Sequence, residues 1–420
     1  MATVPAPALD VDAVRRRFPA LSREVAGRPA AYLDGPGGTQ VPDSVVEAMA
    51  ASLRDANANV GGAFATSAEA EAQVERTRAA AADFVGGESG EIVLGANMTS
   101  LNFSLSRAAA RECRPGDEVL TTTLDHDANI SPWLLAARDF GLRVRRVGVR
   151  PDLTLDLADL EAQLTERTRV VAYTLASNAV GTVTDAARVA ELAHAAGALA
   201  WVDGVHFAAH RRIDVGRLGC DVLLCSPYKF FGPHAGLAWA RRPLLEGWPA
   251  DRVRPAAESP PGHRFETGTA AHEALAGVEA AVDYLASLGE GTQRGERLTS
   301  AYERIGAHEG ELGRRLLDGL EALPGVTVHG IADAARMDER VPTVALTAEG
   351  MPPRALAEGL GEEGIFAWDG NYYALALMEH LGLEGRGGAL RLGLVHYTTR
   401  DEVDRVLEAL SRLTAGSRRG

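Results

Sequence analysis

The sequence of 420 residues is poor in lysine, in cysteine and in long apolar runs. No apolar run approaches the length of a membrane span. The N-terminal stretch MATVPAPALDVDAVRRRFPA also lacks an apolar core followed by a small-residue cleavage site. We therefore expect a cytoplasmic protein with no membrane partner.

Positive charge is also scarce, since the net charge is -14 at pH 7. Such a field repels nucleic acid and anionic membrane surfaces, so we expect no nucleic-acid partner and favour a small-molecule substrate. With 46% hydrophobic residues, the chain is long enough for a large buried core and a second, smaller domain.

The three cysteines, Cys113, Cys220 and Cys225, have no metal-ligand spacing and are too few for a disulfide framework. We interpret them as buried thiols and expect no metal site.

Lys229 is the only lysine among the 43 lysine and arginine residues. Arginine replaces lysine wherever only charge is needed, but a guanidinium cannot act as an amine nucleophile. Lys229 is therefore a candidate for amine chemistry. A compositional drift toward arginine that spared one lysine is the alternative, so the surrounding residues must decide.

Helix-like and strand-like segments alternate from about residue 69, which predicts a mostly parallel sheet covered on both faces. Such sheets bind ligands at the carboxyl ends of their strands. A proline-rich stretch from Pro243 to His263 is predicted as a loop, and a long helical region follows from about Glu273 to about Leu323. The segments VTVHGI, RVPTVALTA, GIFAWDG and ALRLGLVHY indicate a smaller mixed domain.

Two polar residues follow apolar strands at the predicted carboxyl edge of the sheet. Lys229 comes just after DVLLC, and Asp203 ends ALAWVDG. A carboxylate after so apolar a strand needs a partner, and the pyridinium nitrogen of pyridoxal phosphate (PLP) is one. A helix N-cap or a metal ligand is an equally common role for such an aspartate taken alone. The position of Asp203 one crossover before Lys229 favours the cofactor.

The segment GANMTSLNFSLSRA opens a helix after the strand EIVLG. Backbone amides around Met98 and Thr99 could bind a phosphate there, although a helix capped by Asn97 or Thr99 has the same pattern.

Two further strand ends carry ring or amide side chains. His126 and Asn129 follow EVLTTT, so the imidazole could stack on a flat cofactor or be an ordinary surface histidine. Asn178, in TLASNAVGT, could donate to the phenolic oxygen of PLP.

Six ordered segments resemble the class V aminotransferases of PLP fold type I, in the cysteine desulfurase-like and isopenicillin epimerase-like branch: GANMTSLN, DHDANISPW, SNAVGT, VDGVHFAAH, SPYKFFGP and RFETGT. The resemblance runs from YLDGPGGTQVP to LRLGLVHYTTRDEVDRVLEAL. It implies an aspartate aminotransferase-like α/β fold with an N-terminal arm at 1–35, a large PLP-binding domain at 36–290 and a small C-terminal domain at 291–420.

The resemblance also implies a role for each matching residue. Lys229 would carry PLP as a Schiff base, Asp203 would pair with the pyridine nitrogen, and His126 would stack on the ring. Asn178 would lie near the phenolic oxygen and the substrate carboxylate, which Arg391 would bind.

The phosphate contacts and two departures from the family pattern complete the cofactor site. Thr99, Ser226 and, from the neighbouring subunit of a homodimer, Thr269 fall at phosphate positions. His206 stands where the family usually has glutamine, and Tyr228 where it usually has histidine.

The loop before the last strand departs most from the family. Desulfurases carry there a cysteine that takes sulfur as a persulfide, whereas this loop reads GIFAWDGNYYALALME. Asn371, Tyr372 and Tyr373 would contact substrate but cannot replace a thiolate.

The favoured function is therefore PLP-dependent β-elimination of an S-substituted cysteine, which gives pyruvate, ammonia and a thiol. Transamination, epimerisation or decarboxylating deamination of an amino acid, or a desulfurase without a protein persulfide, stay open. A non-catalytic PLP-binding scaffold is less consistent with the carboxylate-binding Arg391.

Overall fold

The computed structural model describes residues 8–417. Its helices are α1 (Val11–Arg15), α2 (Asp43–Asp55), α3 (Ala65–Val85), α4 (Met98–Ala110), α5 (Ser131–Phe140), α6 (Leu157–Gln163), α7 (Ala186–Ala195), α8 (Val215–Leu218), α9 (Arg242–Gly247), α10 (His272–Ala286), α11 (Arg294–Glu321), α12 (Pro353–Glu362), α13 (Leu375–His380) and α14 (Arg400–Ser417).

The strands of the same part of the chain are β1 (Glu24–Val25), β2 (Arg28–Pro29), β3 (Ala31–Tyr32), β4 (Ile92–Gly95), β5 (Glu118–Thr122), β6 (Arg143–Val147), β7 (Thr168–Thr174), β8 (Leu199–Asp203), β9 (Val222–Cys225), β10 (Gly236–Ala240), β11 (Val326–His329), β12 (Thr343–Ala348), β13 (Ile365–Phe366), β14 (Trp368–Gly370) and β15 (Ala389–Gly393).

A seven-stranded sheet in the order β4-β10-β9-β8-β7-β5-β6 forms the centre of the molecule. Strands β6, β5, β7, β8 and β9 pair in parallel, and only β10 runs against its neighbours. The predicted mostly parallel α/β sheet is confirmed.

Both faces of this sheet are covered, which explains why its central strands read as continuous apolar runs. In β8, Ala200 and Val202 belong to the hydrophobic core on one face of the sheet, and Trp201 belongs to the hydrophobic core on the other face. The carboxyl ends of the strands are therefore left as the edge where polar side chains can gather.

A second sheet, in the order β11-β12-β15-β14, carries the mixed segments of the C-terminal part. Helices α11, α12 and α14 cover it through residues such as Leu316, Leu356 and Val406. Near the N-terminus, β3 pairs in parallel with β13 in a separate two-stranded sheet, and a bridge between Asp34 and Gly393 joins the predicted arm to the end of β15. Residues 1–7 of that arm and residues 418–420 lie outside the described residues, and the exact domain boundaries stay a prediction.

The predicted helical region from Glu273 to Leu323 is present as two helices, α10 and α11, and in the turn between them Gly289 lies so close to α11 that a Cβ would be 2.0 Å from the carbonyl oxygen of Arg297. One local expectation was wrong. The predicted loop from Pro243 to His263 includes most of α9. None of the described helices is long and apolar enough to cross a membrane.

Candidate active site

A cavity of about 870 Å³ opens at the carboxyl edge of the parallel strands, beside β14 and β15 of the second sheet. Thirteen of the fourteen predicted site residues line it: Met98, Thr99, His126, Asn178, Asp203, His206, Ser226, Tyr228, Lys229, Asn371, Tyr372, Tyr373 and Arg391. Thr269 does not line it and is exposed. Its role as a contact to the neighbouring subunit's cofactor stays a prediction.

Lys229 lies in a 3-10 turn (Pro227–Lys229) that follows β9. Its Nζ donates to the carbonyl oxygen of Pro36 at 2.5 Å and lies 4.8 Å from the ring centroid of Tyr228. Burial, and next the charge of Arg391, lowers the pKa of Lys229 to about 7, while Asp203 opposes the shift. The amine is therefore neutral in a large fraction of molecules at neutral pH, as a nucleophile or base requires.

Asp203 ends β8 and is 4% exposed. One carboxylate oxygen accepts the backbone N–H of Val205 at 2.9 Å, and within residues 8–417 the side chain has no ion pair. Burial raises its pKa to about 6, while the Val205 N–H and the charge of Lys229 oppose the shift. The next 3-10 turn (Phe207–Ala209) has His206 as its N-cap, and the described residues hold no metal-ligating cluster. The N-cap position of that turn therefore belongs to His206 and not to Asp203.

His126 is the N-cap of a 3-10 turn (Asp127–Asn129) after β5. Its Nδ1 accepts the backbone N–H of Ala128 at 3.0 Å, so Nε2 carries the proton of the neutral ring. Burial, and next the charge of Lys229, lowers the pKa of His126 to about 4. A neutral ring that faces the cavity can stack on a flat cofactor.

A buried network of hydrogen bonds supports the turn that carries His126. Asp125 accepts from the hydroxyl of Thr122 at 2.5 Å and from Nδ2 of Asn129 at 2.9 Å. Asn129 in turn accepts from Asn102 at 3.2 Å, and Asn102 accepts from the indole N–H of Trp201 at 3.0 Å. The network ties the end of β5 to α4 and β8, and so fixes the turn that carries the imidazole.

Arg391 lies in β15 and is 4% exposed. Its Nη1 donates to the carbonyl oxygen of Asn178 at 2.8 Å, whereas its buried Nε has no hydrogen-bond partner in the described part of the chain. Burial lowers the pKa of Arg391 to about 10, so the guanidinium stays cationic at neutral pH. A buried cation with a free N–H is suited to a carboxylate ligand.

Tyr372 and Tyr373 belong to the loop between β14 and α13. The ring centroid of Tyr372 is 4.2 Å from the guanidinium carbon of Arg391, and its carbonyl oxygen accepts from Nδ2 of Asn178 at 2.9 Å. Tyr373 stacks on His126 with a centroid distance of 5.4 Å. The loop therefore contacts Arg391 and Asn178 through Tyr372, and His126 through Tyr373.

The two residues that depart from the family pattern also face the cavity. His206 is buried, its Nε2 lies 3.0 Å from the hydroxyl of Thr343, and its ring meets His210 edge to face. Burial holds the pKa of His206 well below its usual value, so the ring is neutral. Tyr228 stacks on His234 at 4.8 Å.

At the opposite end of the cavity, α4 begins with its first N–H groups unpaired. The side chain of Asn97 caps the helix by accepting the N–H of Ser100 at 2.8 Å. Of the two caps left open by the sequence, Asn97 is the one present, and it leaves the N–H groups of Met98 and Thr99 for a phosphate beside Ser226.

These residues fit PLP on the chemistry of their donors and acceptors. Asp203 is a buried carboxylate without a cation beyond Lys229, and the buried Oδ1 of Asn178 has no hydrogen-bond partner in residues 8–417. A pyridinium nitrogen would satisfy Asp203. Unpaired polar atoms of this kind cost free energy unless a ligand or water meets them.

Several residues that line the cavity were not predicted as site residues: Pro36, Phe103, Asp127, Trp368 and Glu384. Trp368 was predicted only as part of the loop GIFAWDGNYYALALME. Asp125 was not predicted as a site residue either. The signal that could have identified it is a carboxylate directly before His126, after the predicted strand EVLTTT. Glu384 lies in a polar surface segment, where a contact with Asn371 leaves no pattern.

None of the three cysteines lines the cavity. Burial raises the pKa of Cys113 to about 11 and that of Cys220 to about 12, and it holds the pKa of Cys225 well above its usual value. Cys220 and Cys225 are buried as predicted, whereas Cys113 is only partly buried.

Known proteins share this architecture along the whole chain. The sequence matches the family described as aminotransferase class-V over residues 31–406. A cysteine desulfurase of Pectobacterium atrosepticum is 32% identical, with 96% of this chain and 98% of that protein covered. An aminotransferase-like protein of Gibberella zeae is 33% identical, with 95% and 97% covered. The apo structure of a cysteine desulfurase from Thermococcus onnurineus has a TM-score of 0.86 at 26% identity, with 99% of this chain and 100% of that one covered.

Proposed function

The chain belongs to the class-V aminotransferase family of PLP-dependent enzymes, and we propose that it is a lyase that cleaves S-substituted cysteines by β-elimination. The observation that carries the proposal is the absence of a thiol from a cavity that otherwise has the groups needed to activate an amino acid. All three cysteines lie elsewhere, so a protein persulfide has no site at which to form.

Each of these residues would bind a different part of PLP. Lys229 would hold its carbonyl end, Asp203 would keep the pyridine nitrogen protonated, His126 would cover one ring face, and the start of α4 with Ser226 would hold the phosphate. PLP, when bound, supplies the electron sink that takes up negative charge from the α carbon of the substrate. His206, neutral and buried, suits a hydrogen bond to the phenolic oxygen.

The substrate is oriented by its carboxylate and activated by one proton transfer. Arg391 and Asn178 bind the carboxylate, and Lys229 removes the α proton, for which its lowered pKa of about 7 is suited. The bond between Cβ and sulfur then breaks as a double bond forms between Cα and Cβ, and the thiolate takes up a proton. One water completes the reaction to pyruvate, ammonia and a thiol.

A product balance tests the proposal. With S-methylcysteine or S-benzylcysteine as substrate, we expect pyruvate, ammonia and thiol in a ratio of one to one to one. With free cysteine as the substrate, alanine and a sulfur atom transferred to an added thiol acceptor would instead indicate a desulfurase without a protein persulfide. A keto acid that retains the side chain would indicate transamination, the opposite enantiomer would indicate epimerisation, and carbon dioxide would indicate decarboxylating deamination.

A cysteine-free variant separates elimination from persulfide chemistry. Replacing Cys113, Cys220 and Cys225 by Ala or Ser leaves the cavity lining unchanged, so turnover should persist in the folded, cofactor-loaded protein. Loss of turnover in that protein, together with transfer of radiolabelled sulfur onto the wild-type chain, would contradict the elimination.

We also propose that the enzyme is a cytoplasmic homodimer in which Thr269 of each subunit reaches the cofactor phosphate of the other. Thr269 is exposed and does not line the cavity that holds the other thirteen predicted site residues, which supports this arrangement. Symmetric pairs are the commonest soluble oligomers.

A further inference from the structure

We infer that Tyr372 positions Arg391 for the substrate carboxylate, so that the loop without a cysteine acts as an aromatic support for substrate binding. This inference rests on the proposed role of Arg391. Its structural basis is a closed set of contacts among Tyr372, Asn178 and Arg391 together with a loop conformation that holds Tyr372 in place.

The first step is the contact between the ring and the cation. The guanidinium carbon of Arg391 lies over the Tyr372 ring at 4.2 Å. The side chain of Arg391 is buried and makes only one hydrogen bond within the described residues, from Nη1 to the carbonyl oxygen of Asn178. A stacked aromatic face therefore restricts the plane of a guanidinium that hydrogen bonds alone leave free to tilt.

The second step is the anchoring of the ring to the strand that carries Arg391. The hydroxyl of Tyr372 donates to the carbonyl oxygen of Ala389, two residues before Arg391 in β15. The carbonyl oxygen of Tyr372 accepts from Asn178, whose own carbonyl accepts from Arg391. Each of the three residues is thus held by the other two.

The third step is the backbone of the loop. Tyr372 and Tyr373 have φ angles of 54° and 57°, in the left-handed region that non-glycine residues seldom adopt. Surrounding bonds hold this conformation: Asp127 N–H donates to the carbonyl oxygen of Tyr373 at 2.7 Å, and the side chain of Asn371 accepts the N–H of Tyr373 at 3.0 Å. Strain that is held by several bonds is typical of segments that fix a functional side chain.

A pair of small ligands measures the carboxylate contact directly. Glycine carries the carboxylate and methylamine lacks it, and both are titrated against the cofactor absorbance of the full-length, PLP-loaded enzyme. In Tyr372→Leu, which removes the ring, we expect glycine affinity to fall roughly 3- to 30-fold, as loss of a cation–π contact implies, with methylamine affinity unchanged. Tyr372→Phe keeps the ring and loses only the hydroxyl that anchors it to Ala389, so its glycine affinity should fall less than that of Tyr372→Leu.

Arg391→Lys and the double variant distinguish this inference from the proposed function. Arg391→Lys should lose glycine affinity selectively, and Tyr372→Leu should cause no further loss in the Arg391→Lys background, because the tyrosine acts through the arginine. If Arg391→Lys loses glycine affinity but Tyr372→Leu does not, or loses both ligands equally, the inference is wrong and the role of Arg391 stands. If Arg391→Lys binds glycine normally, the role of Arg391 and the inference both fail.

Discussion

At the scale of single residues, the environment of Lys229 sets the reactivity of the site. Its pKa falls from 10.5 to about 7 because burial disfavours the ammonium, and the charge of Arg391 adds to the effect. A surface lysine would be almost wholly protonated at neutral pH, whereas this amine is available to bind a carbonyl.

The rate of cofactor attachment should follow this pKa. When PLP is added to the apoenzyme, the rate should rise about tenfold between pH 6 and pH 8 and then level off, since only the neutral amine reacts. Stopped-flow absorbance measures it. A rate that keeps rising tenfold per pH unit through pH 9 would show an unperturbed lysine.

The variant Arg391→Leu provides the matched control for that profile. Removal of the cation should raise the pKa of Lys229 and move the midpoint of the rate profile to higher pH, because Arg391 is the second cause of the shift. An unchanged midpoint would mean that burial alone lowers the pKa.

Residue types at strand ends were the part of the site that the sequence could predict. Lys229, Asp203 and His126 follow apolar strands, and the edge of a parallel sheet brings such positions together. The contact of Tyr372 with Arg391 was not predictable in the same way. It depends on segments far apart in sequence, since Asn178 bonds to both Tyr372 and Arg391, and no local pattern records such contacts.

At the scale of elements, the turn after β5, helix α4 and strand β8 are joined by the polar network beneath His126. Asn102 is fully buried at its centre, where it donates to Asn129 and accepts from Trp201. Buried networks of this kind stabilise a structure only when every member is satisfied.

Replacing Asn102 by Leu should lower the free energy of unfolding by about 1–3 kcal/mol, because Trp201 and Asn129 each lose a buried partner. Chemical denaturation measures the change. Ser100→Ala, at an exposed position of the same helix, is the control and should stay within about 0.5 kcal/mol of the wild type. An unfolding free energy of Asn102→Leu equal to that of the control would show that the network contributes nothing.

The elements themselves were largely predictable where burial was complete. Strands β7, β8 and β9 are continuous apolar runs between helices, and they formed the predicted parallel sheet. Strand β10 was not predicted, because it follows the Lys229 turn directly as an antiparallel neighbour without an intervening helix. The break between α10 and α11 was missed because it depends on the close approach of Gly289 to a later helix turn.

At the scale of the whole molecule, the cavity combines groups from both sheets, and the exposed Thr269 points to a further contribution from a second copy. Exposed apolar residues occur on α2 and the segment after it, where Val46, Leu53, Val60 and Phe64 are between 47% and 60% exposed. Exposed apolar residues of this size are typical of interfaces between subunits.

Light scattering should therefore give twice the chain mass of 44.3 kDa. Thr269→Val should weaken PLP retention about tenfold by removing a hydroxyl from the partner's phosphate, a bond to a charged group. The control Thr299→Val, at another exposed threonine, should retain PLP normally. A fully active monomer would contradict the shared site.

The site of cofactor attachment is the most direct test of the account, because this chain offers only one lysine. Borohydride reduction of the holoenzyme followed by peptide mass spectrometry should find PLP on the peptide that contains Lys229. Lys229→Ala should lose both the reducible adduct and turnover. A stable adduct on the N-terminal amine, or a reducible adduct and turnover that persist in Lys229→Ala, would contradict the account.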